Sequence, residues 1–407
     1  MNHPRKHKLP LLIRRIVLLA LLGGCLTPLF SADLGFFFNQ MPQIDGRQED
    51  ISWDYTGVFS PWFSLPLGQR SELYLSGGLN LKYEESDGWI PLPELYRFEA
   101  VLRTSAGLEF RLGRQRFQDA LGLVAGGLFD GFTASATLDL NRLYGGVYYT
   151  GFLNKRTASI TMTQQDEAIY QAAVETVKDY FAPSRALASL GWERRELLVE
   201  GSVFSLALLG QFDLGAQGYH TQYLMARYLL PLPASLQLDL GGGAELIETG
   251  DTVDPLQWGA AAQALLGWKL PIKAVGRLSL GARWASGEGD VLAAFAPISS
   301  VTQGRVLQAK FSGLLTLEGI CSIRLGQPLA MELSAFYFLR TDTETFPTAV
   351  GDSPFLGAEI SGLVTWAPLS DFSLVGEAGV FLPQPGGAYP TSRLQWRGGI
   401  SLMLSLY

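Results

Sequence analysis

The chain has 407 residues, 31 Lys and Arg against 38 Asp and Glu, a formal net charge of −7 and only two cysteines, with 47% hydrophobic residues. An acidic balance argues against a nucleic-acid surface, and two cysteines exclude a multi-disulfide scaffold. Beyond residue 32 no stretch approaches the roughly 20 apolar residues of a membrane helix, so a lipid-embedded chain of this composition has to be a closed barrel.

Residues 1–15 carry Arg5, Lys6, Lys8, Arg14 and Arg15 without an acid, and 16–22 form a short apolar core before Gly23 and Gly24. That layout is a secretory signal. Ser31 and Ala32 mark the expected cleavage, giving a signal peptide over 1–32 and one domain over 33–407. A loose lipoprotein box at 22–25, in which Cys25 would be lipidated, is the competing reading. Cleavage leaves 26 basic and 38 acidic residues, a net charge of −12, and Cys321 as the sole thiol.

From residue 33 onward the side chains alternate. Leu73, Leu75, Leu79, Leu81 and Tyr83 fall on one face, and Glu72, Tyr74, Ser76, Asn80, Lys82 and Glu84 on the other. A period of two is a strand. Its persistence to residue 407, with Tyr or Trp closing many segments and no helical layer, predicts an all-β fold, a transmembrane antiparallel up-and-down barrel. Tight turns are expected at 68–70, 105–106, Asn141, 193–195, 231–233, 271–273, 326–328 and 368–370. With an opening strand near 33–40 and a closing one at 393–407, about 18 strands result, 16 being the alternative, and both termini lie on the periplasmic side.

The longer connections, 41–50, 85–93, 115–130, 152–185, 209–217, 250–256, 286–303, 342–354 and 384–392, then fall on the outer surface. Within 165–182, Ile169, Ala173, Val177 and Phe181 recur every four residues, which predicts an amphipathic helix of four or five turns. It is either a cap over strand ends or a lid that narrows a pore. Tyr407 supplies a terminal aromatic, but in register with Ser401, Met403 and Ser405 rather than with the apolar face.

If the apolar face meets lipid, parity sends the charges inward. Tyr96, Phe98, Ala100 and Leu102 outside place Arg97, Glu99 and Arg103 inside, and the same logic places Glu109, Arg111, Arg277, Arg283, Glu332, Arg340, Arg393 and Arg397 there. Asp239, Glu245, Glu359 and Glu377 add acids. Such residues are too costly on the lipid face. Inside, they serve either as paired scaffold or as a surface that selects solutes. Arg97, Arg103 and Arg111 with Arg393 and Arg397 lead the second reading.

Residues 108–131 read LEFRLGRQRFQDALGLVAGGLFDG, 281–297 include Ala285-Ser286-Gly287 with Asp290 and Phe295-Ala296-Pro297, and 356–383 carry Leu356-Gly357-Ala358-Glu359-Ile360, Trp366 and Gly379 to Pro383. In that order they resemble segments of the alginate export family of outer-membrane barrels. The resemblance implies an eighteen-stranded monomer with an arginine-lined conduit for a polyanionic polysaccharide, closed by mobile loops, and adds Arg114 as the motif arginine. This chain departs from the pattern in its inserted Glu288-Gly289 and in its inward Glu99, Glu109 and Glu359.

The function expected is therefore passive passage of a solute or polymer, an anionic saccharide among them, through a charged outer-membrane lumen. The alternative is a surface-exposed structural or adhesin barrel with an occluded pore. Catalysis is not expected: after cleavage only His220 remains, at a strand start. No cofactor or metal is implied. The expected partners are outer-membrane lipids, a small solute or polysaccharide and the barrel assembly machinery, with no nucleic acid, and the barrel is expected to be a monomer in a diderm outer membrane.

Overall fold

A computed structural model describes residues 32–47, 50–85, 88–172, 174, 177–215, 218–250, 255–272, 274–299, 301–342, 353–383 and 394–407. The strands are β1 (Asp33–Arg47), β2 (Asp50–Pro66), β3 (Glu72–Glu84), β4 (Gly88–Arg103), β5 (Leu108–Gln118), β6 (Gly126–Leu138), β7 (Asn141–Tyr149), β8 (Arg185–Arg195), β9 (Val203–Asp213), β10 (His220–Leu232), β11 (Leu236–Glu248), β12 (Leu256–Leu270) and β13 (Val275–Ala285). After two short pieces, β14 (Thr302–Gln303) and β15 (Ala309–Lys310), come β16 (Leu314–Arg324), β17 (Leu329–Arg340), β18 (Phe355–Leu369), β19 (Phe372–Leu382) and β20 (Gln395–Leu406). All but β14 and β15 form one 18-stranded antiparallel sheet. It closes where β1 meets β20, Phe36 lying opposite Leu406 and Gly46 opposite Trp396.

Closure pairs every strand on both sides, the only sheet solution that hydrocarbon tolerates. Leu75, Phe98, Leu112, Leu190, Leu333 and Ile400 stand exposed on the outside, an apolar belt that suits lipid and not water. At the far end of β2–β4 from the short turns, Trp53 and Tyr83 (4.8 Å) and Tyr83 and Trp89 (5.2 Å) form an aromatic group, the signature of a membrane interface.

Strands run further than alternation suggested. β1 and β2 continue through most of 41–50, Asn141 opens β7 instead of turning, and Glu193–Arg195 belong to β8. The turn residues are instead Asp139, Glu196, Leu198, Ala234 and Ser235, all at positive φ. Tyr96 is a second correction. The β3–β4 register shifts between Ser76 and Gly77, and such a bulge puts consecutive residues on one face. Tyr96 therefore joins Arg97 inside, its hydroxyl bonded to Asn80.

The predicted long helix is two shorter pieces. α1 spans Lys155–Ala158 and α2 spans Gln164–Gln171, the latter started by a Thr163/Asp166 capping box. α2 ends because Ala172 turns extended (ψ 143), and its carbonyl accepts Lys155 Nζ at 2.7 Å. A 3-10 turn follows at Val177–Tyr180, so Ile169 and Phe181 do not share one helix. Residues 1–31, with the expected signal, lie outside the described residues, as does Arg393.

The outer half of β4 is an edge. β4 pairs with β5 only over Phe98–Arg103, whereas it pairs with β3 from Gly88 to Val101. Pro91 and Pro93 lie on this stretch and carry no N–H that a neighbouring strand would have to accept. The carbonyl of Pro93 accepts from the Tyr180 hydroxyl (2.8 Å) and that of Leu95 from Arg114 Nη1 (2.7 Å). The 150–184 excursion thus completes the wall where β5 leaves it.

Candidate functional site

Three segments enter the lumen, and carboxylates fasten two of them. Asp119 accepts backbone N–H bonds from Leu121, Gly122, Val124 and Ala125 at 2.7–2.9 Å, folding the β5–β6 connection into a compact hairpin tip. Glu359 on β18 accepts from the N–H groups of Arg305, Val306 and Leu307 at 2.6–3.0 Å, which draws the 286–313 segment across the barrel. Bonds of this kind to a charged acceptor are about twice as strong as neutral ones.

The wall opposite is shaped to receive these segments. Leu121 reaches β11, where a side chain on Gly241 would meet it at 2.8 Å and one on Gly243 at 3.3 Å. These glycines are a seat for Leu121. Leu121, Leu123 and Val124 pack with Leu153, Ile160 and Met162 of the excursion, Phe295, Ile298 and Phe311 of the third segment, and Leu209, Tyr223 and Met225 of the wall in one dry cluster. Each large side chain so buried stabilises the arrangement by about 1.5–3 kcal/mol.

Polar bonds join the three segments. Ile298 N–H donates to the Val124 carbonyl at 2.7 Å, and the Tyr223 hydroxyl donates to the Ala296 carbonyl at 2.6 Å. Lys310 Nζ donates to the Thr161 carbonyl, and burial pushes the Lys310 ammonium below its ordinary pKa despite Glu167 and Asp166 nearby. The excursion is held to β8 by Arg185 and Asp166, 2.7 Å apart with both side chains fully buried.

The remaining lumen wall carries charge. Arg97, Glu99, Arg111, Glu109 and Arg103 form an alternating ladder on β4 and β5, linked at 2.5–3.0 Å, and Arg97 lies 4.6 Å above the Tyr74 ring. The structure thus brings three of the sequence candidates, Arg97, Arg103 and Arg111, together on one inner wall. Arg283 pairs with Glu318 at 2.5 Å. Arg397 pairs with Asp45 at 2.5 Å and donates to the Arg305 carbonyl, away from the β4–β5 ladder. Arg340 is buried and donates Nε to the Ser353 carbonyl at 2.8 Å.

Arg114, the motif arginine, is buried at the split between β4 and β5. It holds Asp130 through two bonds of 2.8 Å and also donates to the carbonyls of Leu95 and Phe152. Its bonds all run to protein atoms, which makes it a fastener between strand, hairpin and excursion. His220 accepts from the Asp213 N–H through Nδ1 and packs near Phe212.

Sequence reading missed Arg305, which meets Glu332 at 2.6 Å and Glu377 at 3.6 Å from a loop that alternation cannot orient. It also missed Arg227, paired with Asp239 and donating to the Ala120 carbonyl; its parity with Tyr223 and Met225 was the available signal. A cavity of about 340 Å³ lies beneath the hairpin tip on the short-turn side, with Glu109, Arg111, Arg142, Tyr144, Glu193 and Arg227 in its wall.

Neither a protein-family model nor a curated protein matches the chain. Solved structures do. The chain is similar to OccK2 (OpdF) of Pseudomonas aeruginosa, crystallised in complex with glucuronate, at TM-score 0.64 and 12% identity over 92% of this chain and 98% of that one. A BenF-like porin from Pseudomonas fluorescens Pf-5 gives the same values. OprD of Pseudomonas aeruginosa gives 0.59 and 12% over 92% and 94%. At this identity the likeness is one of fold, that of outer-membrane barrel porins.

Proposed function

We propose that this protein is a porin-like channel of the outer membrane that passes a small hydrophilic solute, an anionic saccharide in particular. The observation that carries this reading is a closed barrel with an apolar exterior and a charged inner wall, narrowed but also organised by three folded-in segments. The ladder holds three arginines against two glutamates, a modest positive excess along one side of the path. A fixed excess of one sign attracts the opposite ion and sets selectivity.

A sugar acid in the crystallised neighbour supports the choice of solute class. Long polyanions of the alginate kind, which the sequence resemblance implies, are the finer reading, and the close pairing of arginine with acid favours small anions over them. The monomeric state and assembly through the barrel machinery belong to the same proposal. The second reading, an occluded structural or adhesin barrel, is favoured by the dry cluster that ties all three segments together.

Single-channel recording of the refolded mature barrel in planar bilayers separates the two. Steady conductance with anion preference, reduced in the triple variant Arg97→Ala, Arg103→Ala, Arg111→Ala, is the expected result. A folded, inserted barrel without conductance overturns the channel reading and leaves the occluded one.

A further inference from the structure

We infer that the solute-contacting cations of this lumen are Arg142 and Arg116, beneath the hairpin tip, and that they receive the carboxylate of a hydroxylated ring such as a sugar acid. This inference rests on the channel reading above and adds the place of contact. Sequence parity nominated the β4–β5 ladder instead. Each of those arginines already has a carboxylate partner at 2.5–3.0 Å, so a solute carboxylate has to compete with a fixed one.

Arg142 and Arg116 differ. Both are exposed and both line the 340 Å³ cavity. Among the described residues neither forms an ion pair. Arg142 lies 5.5 Å above the Tyr144 ring, and Glu193, opposite it in the β7–β8 register, meets Arg195 at 3.8 Å. The other acids of the cavity are engaged. Asp119 accepts four backbone N–H groups, and Glu109 holds Arg103 and Arg111. The cavity therefore presents uncompensated positive charge, its lining holding four arginines against three acids.

The rest of the wall indicates what carries the carboxylate. Gln118, Ser135 and Ser205 offer amide and hydroxyl groups, and Tyr144 a ring face. Gln115, nearly fully buried at the same wall, has an Nε2 without a hydrogen-bond partner. A buried donor left unpaired is costly, but this atom lies beneath the cavity surface, so the exposed Gln118 amide and the two serine hydroxyls are the groups within reach of a solute. Polyhydroxylated rings suit such a surface better than alkyl or aryl carboxylates, and the volume lies within the range of small-ligand sites. The Ala120 carbonyl, held by Arg227, roofs the cavity, so a solute entering from the loop side reaches it after the constriction.

The test titrates glucuronate, glucose and benzoate against the current of the refolded full barrel. Saturable block by glucuronate and weak block by the other two are expected. Arg142→Gln and Arg116→Gln should each raise the glucuronate Kd about tenfold, which corresponds to ~1.4 kcal/mol. Arg142→Lys should fall between, and the ladder pair Arg97→Ala, Arg103→Ala should lower the anion preference of the current while raising the glucuronate Kd less than either cavity variant. Unchanged glucuronate block in conducting Arg142→Gln and Arg116→Gln barrels overturns the inference, as does a ladder variant that alone reproduces the loss. Equal block by benzoate overturns its sugar-acid part. A wild-type barrel without current fails the channel reading instead.

Discussion

The inner wall along β4 and β5 and the inner wall along β9–β12 start from the same alternating pattern and end in different chemistry. On β4 and β5 the inward positions carry Arg97, Glu99, Arg103, Glu109 and Arg111, which satisfy one another and remain partly hydrated. On β9–β12 the inward positions include Leu209, Tyr223, Met225, Gly241, Gly243 and Ala261, an apolar or side-chain-free stretch that loops cover, flanked by the Arg227–Asp239 pair and by Glu245. An inward apolar residue in a water-filled barrel would be wasted, so its presence marks where another segment must dock. One side of the lumen keeps a ladder of paired charges, and the other is a socket for the segments that narrow the path.

That contrast can be broken most severely at the fully buried pair. Arg185→Ala removes the cation that Asp166 faces in a fully buried site, where breaking such a pair costs about 3–5 kcal/mol. The 150–184 excursion should detach, and protease cleavage within it, with larger and noisier conductance, would report this. Survival of an uncleaved excursion would mean that Arg114 and Lys310 suffice to hold it.

Glu359→Gln comes next. It keeps an acceptor but removes the charge that gathers three N–H groups, with an expected cost of about 1–3 kcal/mol to seating of the 286–313 segment. Cysteine accessibility at position 305 should rise. Filling the seat is similar in size: Gly241→Val collides with Leu121 and should cost about 1–3 kcal/mol by overpacking. Conductance should increase if the hairpin tip lifts. Restoring it with Leu121→Ala in the same chain would tie the effect to that contact.

The ladder should respond least. Arg103→Ala removes a pair that is nearly half exposed, worth within about 1 kcal/mol, so thermal unfolding should hardly move. Lys310 supplies a pH-dependent refinement. Its pKa is lower when the third segment is seated than when it is free, so the seated form binds fewer protons. Rising pH in the alkaline range below the ordinary lysine value of about 10.4 therefore favours seating. Fewer opening events on raising the pH, absent in Lys310→Met, are expected.

How much of this was legible in the sequence differs between wall and interior. The barrel, its strand number and the inward face of Arg97, Arg103, Arg111, Arg283 and Arg397 follow from a period of two, because neighbouring side chains on a strand must point to opposite sides. Tyr96 was misplaced since one bulged residue resets that parity. The edge character of β4 is written in the sequence as Pro91 and Pro93 in the run 89–95. Gly241 and Gly243 are a seat for Leu121, a partner that no local pattern around them reveals.

By itself the sequence determined which residues face lipid and which face inward, since hydrocarbon penalises every charge and every open strand edge without regard to distant partners. Only the tertiary structure decided which inward charges are paired and which are open. Pairing is a matter of distance: Arg103 and Arg142 are both inward arginines near the short turns, but one has Glu109 at 2.6 Å, and the other lies over a tyrosine ring and forms no ion pair among the described residues. Where the loops go is likewise a tertiary matter. Asp119 and Glu359 gather backbone N–H groups that no periodicity reveals, and Leu121 finds its place because a wall six strands away has left room for it.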